Sequence, residues 1–540
     1  MIDVSTVAEI IAKELKKAGV EYAFGVSGET LIPLMDAFRK TGIEFILTRH
    51  ETGAGFMADA VHQLTGKPVV LLATQGPGIT NLVNAAAHAF LDRSSLIVIT
   101  SSIPLSQQNV VVRQNLPHEE ILNPVTKYTA TIRGTDAAQV VTRAIEAATS
   151  ERPGPVYLNL PVDVAKSEYT GPDGFTSVTK LSFTPLGTGQ FNDFTEKLRN
   201  AKRPIAIVGN GANKSSSVTR EWLEKWKIPS LSTYRAKGIL DESTTLSLGP
   251  IGLSKVSDQV QQSFIKQSDL ILTIGFDPAE ISGRWLQTPT TEVMRINIDS
   301  VPALRGYLSP HEEYVGEIGL FLQSTMPAET PSNNEWSNEE LDQHRQNVKN
   351  SLAMHASIEG LSPYKLTEVL REVMPKNTIV TADTGSHRIT ASQVWDCYEP
   401  LTFLQSIGLA TMGYALPAAI GAKFISRDSP VLCLVGDAGF EMILGELGML
   451  KQLNLPIVIV VFADRALSRI KIDQEQEGYQ VYGTEFETPE YTTIAKAYGG
   501  EGVIVRSLDE IQAAAEEALN RDVFTVIQAE IDPTEYVNQM

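Results

Sequence analysis

Apolar residues along this chain gather into short runs, each closed by a glycine-rich or polar turn and followed by a longer amphipathic stretch. Residues 431–435 form one such run and read as a buried strand. Residues 440–453 then place apolar side chains on one helical face, and 456–462 reads as the next buried strand. Near the other end, 44–48 reads as a strand that leads into 52–62, a helix rich in Gly and Ala. Residues 205–208 form a strand opening onto Gly209-Asn210-Gly211-Ala212-Asn213, and 1–20 has the pattern of a charged amphipathic helix. Strands alternating with helices in this way predict parallel α/β layers.

Two stretches interrupt the pattern and read as linkers. Residues 167–190 are rich in Gly, Thr, Pro and Ser, with Pro172-Asp173-Gly174 as a turn signal. Residues 326–340 hold Pro327, Pro331 and a cluster of Ser, Asn and Glu. No short-period repeat is present. The segments between read as three variants of one doubly wound plan, so the expected class is α/β with three doubly wound parallel-sheet domains.

Length and charge narrow the classes of function. At 540 residues the chain exceeds a single hydrophobic core. The formal charge of −19 argues against a nucleic-acid or anionic-membrane partner. Two cysteines, Cys397 and Cys433, suit neither a disulfide scaffold nor a zinc site, and Cys433 lies within a strand pattern as a small buried hydrophobe. No apolar stretch approaches a membrane span, and the N-terminus lacks the apolar core of a signal peptide. A cytoplasmic location is expected.

The chemistry starts at Gly436-Asp437-Ala438-Gly439, which closes the 431–435 strand, with Asp464 27 positions after Asp437. One helix between two adjacent parallel strands needs about that spacing, and both loops then open at the strands' carboxyl ends, where open α/β sheets bind ligands. Two hard oxygen ligands on short loops suit a magnesium ion that also holds a diphosphate.

This segment resembles the diphosphate-anchoring motif of thiamine-diphosphate-dependent enzymes, which runs Gly-Asp-Gly, helix, strand, Asn-Asn. It departs at Ala438 and at Ala463-Asp464. Arg49-His50-Glu51 resembles the same family's catalytic glutamate motif, which implies that Glu51 bonds the aminopyrimidine N1′ and stabilises the imino tautomer that deprotonates thiazolium C2. Such a glutamate belongs in an apolar, water-poor pocket. Thr74-Gln75-Gly76-Pro77-Gly78 with Asn81 resembles the loop beside the cofactor, and Arg152-Pro153-Gly154-Pro155-Val156 the run into the last strand of the first domain. Residues 408–422, with Met412-Gly413-Tyr414, are close to the acetolactate synthase pattern, in which Met412 would be the wedge that bends the cofactor into a V. Asp383-Thr384-Gly385-Ser386-His387 falls where the family contacts the diphosphate from a second loop, which makes Ser386 and His387 candidates, although a lone histidine after a glycine is more often a solvated loop residue.

The resemblance thus implies cofactor contacts from Glu51, Thr74, Gly76, Pro77, Asn81, Ser386, His387, Met412, Gly436, Asp437, Ala438, Gly439 and Asp464. It implies a magnesium site at Asp437, Asp464 and Ala466. It also implies a pyrimidine-binding domain over 1–168, a central domain over 186–328 and a diphosphate-binding domain over 345–540. The expected activity is decarboxylation of a 2-oxoacid, pyruvate first, with carboligation to a second carbonyl. The expected assembly is a homodimer or homotetramer. Whether a small regulatory subunit accompanies it is not fixed by the sequence.

Departures from the pattern bear on substrate and flavin. The Gly209 turn lacks a third glycine and a clear acidic partner about 20 residues on. The segments matching the FAD-binding motifs read Leu248-Gly249-Pro250-Ile251-Gly252 and Phe276-Asp277-Pro278-Ala279-Glu280, so FAD is not expected to be required. Ala279 and Val162 stand where biosynthetic acetolactate synthases carry an arginine and a lysine, and the tryptophan that selects the second 2-oxoacid has no counterpart. Glu29 replaces a small residue in a loop near the substrate. Gln114, ten residues before Pro124, matches a glutamine that orients an acceptor, and both are expected to act in catalysis from the pocket. Arg465, Arg469 and Lys471 form a basic run beside the metal loop, for which a solvated surface is the simpler explanation. Three alternatives stay open: a 2-oxoacid decarboxylase, a redox enzyme (a flavin-dependent oxidase or a dehydrogenase using the Gly209 turn), and a non-catalytic regulatory relative.

Overall fold

The computed structural model describes residues 5–172, 188–287, 293–304, 306, 308–330, 334–353 and 360–539. It contains three six-stranded sheets, every strand pairing parallel to its neighbours. The first holds β1 (Tyr22–Gly25), β2 (Glu44–Leu47), β3 (Val69–Ala73), β4 (Leu96–Ser102), β5 (Thr129–Thr131) and β6 (Val156–Pro161). The second holds β7 (Pro204–Val208), β8 (Ser230–Thr233), β9 (Ser247–Ile251), β10 (Leu270–Ile274), β11 (Met294–Asp299) and β12 (Glu312–Val315). The third holds β13 (Ile379–Ala382), β14 (Phe403–Gln405), β15 (Val431–Gly436), β16 (Val458–Ala463), β17 (Glu501–Val505) and β18 (Thr525–Glu530).

The orders are β2-β1-β3-β4-β6-β5, β12-β11-β10-β7-β8-β9 and β14-β13-β15-β16-β18-β17. The first and third sheets therefore share one winding, with the order reversing between β1 and β3 and between β13 and β15. The second has the order of dinucleotide-binding folds, reversing between β7 and β10. Loops at such reversal points form a crevice at the strands' carboxyl ends; the loops after β1 and β3, after β13 and β15, and after β7 and β10 lie there, carrying Glu29, Thr74, Ser386, His387, Asp437, the Gly209 turn and Ala279.

Two compact units divide the chain. One joins residues up to 172 with Gly408–Arg427 and Met442–Leu455; the other joins 188–407, Asp428–Glu441 and 456–539. In the first unit three helices meet at close range: Glu51–Thr65, Pro77–Leu91 and Ala415–Ile425. The small residues explain it. A Cβ at Gly55 would lie 2.2 Å from that of Ala85, and one at Gly421 would lie 2.4 Å from the Met57 carbonyl oxygen. In the second unit Phe194, Trp222, Tyr314 and Phe321 fill one face of the central sheet.

Most expected elements are present with shifted ends. The strand expected over 44–48 is β2, and the Gly/Ala-rich helix runs Glu51–Thr65. The N-terminal helix is Val7–Lys17, its start fixed by a capping box between Thr6 and Glu9. The single helix expected over 440–453 does not form. The chain forms Asp437–Glu441, then a 3-10 turn Leu444–Glu446, then Leu447–Leu453. The break falls where the chain passes from one unit to the other, and the Glu446 carboxylate turns to bind backbone amides in the first unit instead of extending a helix surface. Of the expected linkers, 173–187 and 331–333 lie outside the described residues. Helix Asn338–Ala353 begins inside the second linker and packs on Lys255–Ile265. Among the described residues no helix is long and apolar enough to cross a membrane.

Candidate functional site

In the first unit Glu51 opens its helix, with His50 as the preceding cap whose Nδ1 accepts from the Thr52 amide at 3.1 Å. The Glu51 side chain is buried, 7% exposed. Asn81 Nδ2 donates to Glu51 Oε2 at 2.9 Å, while Thr52 Oγ1 donates to the Asn81 carbonyl at 2.6 Å. The first two helices are thus locked together at the carboxylate.

Three loops converge beside them at the carboxyl end of the first sheet. A Cβ on Gly28 would lie 2.8 Å from Thr74 Cβ, which brings the loop carrying Glu29 against the loop after β3. Gly76 has φ +66°, and a Cβ there would lie 2.8 Å from Gln114 Cβ. Pro77 is the first residue of the following helix and is exposed. Glu29 and Gln114 are exposed at the rim of this loop cluster, next to Thr74 and Gly76 respectively. Met412 is half-buried in the segment that precedes the Ala415–Ile425 helix, and its neighbour Thr411 accepts from Asn84 Nδ2 at 3.0 Å.

In the second unit Gly436 pairs with Phe462 across β15 and β16, so the loops after both strands start side by side. Asp437 Oδ2 accepts from the amides of Asp464 (3.1 Å) and Arg465 (2.6 Å), and Oδ1 from that of Ala438 (2.8 Å). Asp464 Oδ1 accepts from the Ala466 amide at 3.3 Å and Oδ2 from the Ser468 hydroxyl. The two carboxylates expected on neighbouring loops are therefore together. Burial raises the pKa of both, that of Asp464 to about 7, with Asp437 adding repulsion.

The loop after β13 closes on the same place. A Cβ on Gly436 would lie 3.2 Å from His387 Cε1, and one on Gly439 3.2 Å from the Asp383 carboxylate. Ser386 and His387 open the Ser386–Val394 helix. His387 is not the solvated loop residue its context suggested: it is 5% exposed, stacked on Phe462, and burial depresses its pKa to about 3. Its Nε2 is buried and lacks a hydrogen-bond partner among the described residues.

These residues fit a metal-bound diphosphate. The buried Asp437 and half-buried Asp464 carboxylates, both with raised pKa values, call for a cation, and a neutral histidine with an orphaned ring nitrogen calls for an acceptor or donor beside Gly436. Among the described residues no group of three or more His, Cys, Asp or Glu converges on a metal position. A cation here would take the two aspartates and complete its shell with backbone, ligand and water oxygens, the way magnesium binds.

The basic run next to this loop is mostly paired. Arg469 bonds Asp473 at 3.1 Å and Lys471 bonds Glu485 at 2.6 Å, whereas Arg465 is exposed at φ +59°. Both cysteines are buried, and burial pushes the Cys397 thiol up to about 12.

The Gly209 turn lies at the reversal point of the central sheet, but its glycines answer to the neighbouring strand. A Cβ on Gly209 would lie 2.5 Å from the Gly275 carbonyl oxygen and one on Gly211 2.9 Å from Gly275 Cα. The Asn210 amide donates to Glu280 Oε2 at 3.0 Å, which Thr233 Oγ1 also reaches at 3.1 Å. Burial lifts the Glu280 pKa to about 7, with Arg235 opposing the shift. An internal carboxylate thus holds the backbone donor that a pyrophosphate would use.

One site residue was missed. Glu446, 2% exposed, accepts from the amides of Arg49 (3.3 Å) and His50 (3.0 Å) just ahead of Glu51, and Gly53 leaves room for it. In sequence it looks like one more polar position on an amphipathic helix. Only the break in that helix frees it for this role.

Residues 5–125 match the thiamine pyrophosphate enzyme N-terminal TPP binding domain, 191–325 its central domain and 383–529 its C-terminal TPP binding domain. The chain is 30% identical to the acetolactate synthase isozyme 1 large subunit of Escherichia coli (strain K12), over 99% of this chain and 95% of that one. It is 30% identical to the probable acetolactate synthase large subunit of Methanococcus aeolicus, over 98% and 92%. It is 27% identical to the acetolactate synthase of Bacillus subtilis (strain 168), over 98% and 94%.

Proposed function

We propose, for a chain that belongs to the thiamine pyrophosphate enzyme family and is an enzyme similar to acetolactate synthases, that it releases carbon dioxide from pyruvate and joins the remaining carbons to a second 2-oxoacid. The observation that carries this reading is the pairing of Asp437 with Asp464 on adjacent loops at a sheet reversal point. Asp437, Asp464 and the backbone of Ala466 would hold Mg²⁺ on the cofactor's diphosphate. Ser386, His387 Nε2 and the Gly436–Gly439 loop would surround the phosphate oxygens.

When bound, thiamine diphosphate supplies a cationic thiazolium, the electron sink that departing carbon dioxide requires. The chain's own groups do the rest. Asn81 fixes one oxygen of Glu51 and leaves the other for proton exchange at the aminopyrimidine N1′. Glu446 holds the turn ahead of Glu51, so the carboxylate keeps its position without a solvent cage. Met412 would support the bent cofactor, with Thr74, Gly76 and Pro77 beside the pyrimidine. Gln114 and Glu29 would meet the acceptor from the exposed rim, and Arg465 a substrate carboxylate.

The domains of this reading are 1–168 for the pyrimidine, 186–328 in the centre and 345–540 for the diphosphate. Glu51 of one subunit would serve its neighbour in a homodimer or dimer of dimers in the cytoplasm. FAD would not be required, since Glu280 already engages the turn a dinucleotide would occupy. Calorimetry on Asp437→Ala tests the site: Mg²⁺-dependent thiamine diphosphate binding should be lost with the fold retained, and unchanged affinity would refute it. The purified protein should be colourless; flavin absorbance near stoichiometric would favour the redox alternative.

A further inference from the structure

Behind Glu51 lies a buried ionic cluster that the reaction above does not use. His88, on the Pro77–Leu91 helix, pairs through Nε2 with Asp59 Oδ2 and through Nδ1 with Asp92 Oδ2, both at 3.1 Å. All three side chains are essentially inaccessible to solvent. Asp59 sits on the Glu51 helix, and it also accepts from Gln63 Nε2 at 2.6 Å and from the Ser94 hydroxyl. The ring of Phe56 meets His88 edge-on and that of Tyr414 lies tilted 5.0 Å away.

Both carboxylates also hold the segment that carries Met412. The Gly408 amide donates to Asp92 Oδ1 at 3.2 Å, and the Tyr414 hydroxyl donates to Asp59 Oδ2 at 2.8 Å. The 408–414 segment is therefore tied near each end to an aspartate, and one histidine bridges the two aspartates. Without that cation two buried negative charges would face each other, and buried charges persist only when paired.

We propose that His88 is a positioning residue that clamps the Met412 segment onto the helices bearing Glu51 and Asn81. Its catalytic meaning rests on the function proposed above, but the clamp itself is a property of the protein without cofactor. The charge balance supports it. Burial alone would make His88 less basic, yet Asp59 and then Asp92 override it and raise its pKa to about 9. A histidine with a raised pKa contributes its stability in full below its ordinary value of 6.5 and loses it as the pH rises through about 9. Asp59, Asp92 and the Tyr414 ring face it from the packed elements, and loss of its proton removes the cation that bridges the two aspartates.

The test is hydrogen–deuterium exchange with mass spectrometry on the cofactor-free protein, comparing wild type with His88→Gln and Tyr414→Phe. Peptides covering 408–414 should exchange about tenfold faster in His88→Gln and a few-fold faster in Tyr414→Phe, while peptides of the central sheet stay unchanged. In wild type the same peptides, corrected for intrinsic rate, should lose protection above about pH 9, a step absent from His88→Gln. In turnover His88→Gln should lower kcat about tenfold with the 2-oxoacid KM within about twofold, because the fault is in geometry rather than substrate binding. Folded variants that protect 408–414 as wild type does would overturn the clamp. If His88→Gln does not fold, unchanged protection in Tyr414→Phe together with a flat wild-type pH profile overturns it equally. Wild-type protein that turns over nothing with thiamine diphosphate would overturn the proposed function, and the exchange result would still decide the clamp.

Discussion

Asp464 should make the metal-free protein less stable as the pH rises, and magnesium with thiamine diphosphate should reverse that loss. Burial lifts its pKa from 3.8 to about 7, with the Asp437 charge adding to the shift. A carboxyl raised in this way favours folding most below its unfolded value and costs stability as the pH climbs toward the folded one. The difference of roughly three pH units corresponds to about 4 kcal/mol at high pH, shared by the coupled pair. A divalent cation between the carboxylates removes the cost by neutralising both charges, and its binding must expel whatever proton the pair still holds. At about pH 7 that is roughly half a proton per site, and below it the apparent affinity should fall up to about tenfold per pH unit. Calorimetric titration of Mg²⁺ and thiamine diphosphate in two buffers of different ionisation enthalpy counts the protons directly. Scanning calorimetry with and without the metal should show the two melting temperatures diverging as the pH rises. Constant affinity and zero proton release between about pH 6 and pH 8 would refute the reasoning, because the carboxylates would then be ionised already.

Other predictions follow from single contacts. Glu51→Gln keeps the Asn81 bond but removes proton exchange, and it should cost at least about 10²-fold in kcat; equal turnover would refute the relay. Glu446→Gln offers an amide where two backbone N–H groups need acceptors, so the buried mismatch should destabilise the first unit by about 1–3 kcal/mol and lower activity with it, measured by denaturant unfolding and kinetics. Gly421→Val drives a side chain into the Met57 carbonyl and should cost about 1–3 kcal/mol or more, read as a lower melting temperature. Arg465→Ala should raise the KM for the 2-oxoacid with kcat little changed, and an unaltered KM would remove Arg465 from the substrate site.

What could be read in advance was whatever depends on chain order. The strand–helix–strand spacing brought Asp437 beside Asp464, and β15 pairs with β16 as that spacing requires. The alternation of strands and helices likewise predicted three parallel layers, and three are present. What escaped was set by contacts distant in sequence. The helix expected over 440–453 breaks because Glu446 is drawn to amides nearly 400 residues earlier, and no local pattern signals that. His88 sits at an ordinary helical position and becomes ionic because Asp59, on another helix, and Asp92, just past its own helix, both face it. The Gly209 turn invites a nucleotide reading, yet its glycines are required by Gly275, just past the end of the adjacent strand β10. His387 looked solvated because a loop position alone does not reveal that Phe462 will stack on it.

The most direct test of the central claim is turnover of carbon-13-labelled pyruvate by the purified protein with Mg²⁺ and thiamine diphosphate, with products followed by NMR in one tube. The account predicts carbon dioxide and acetolactate in equal amounts, lost together in Glu51→Gln. Acetaldehyde as the sole product, or no carbon dioxide from pyruvate while the cofactor is bound, would contradict it.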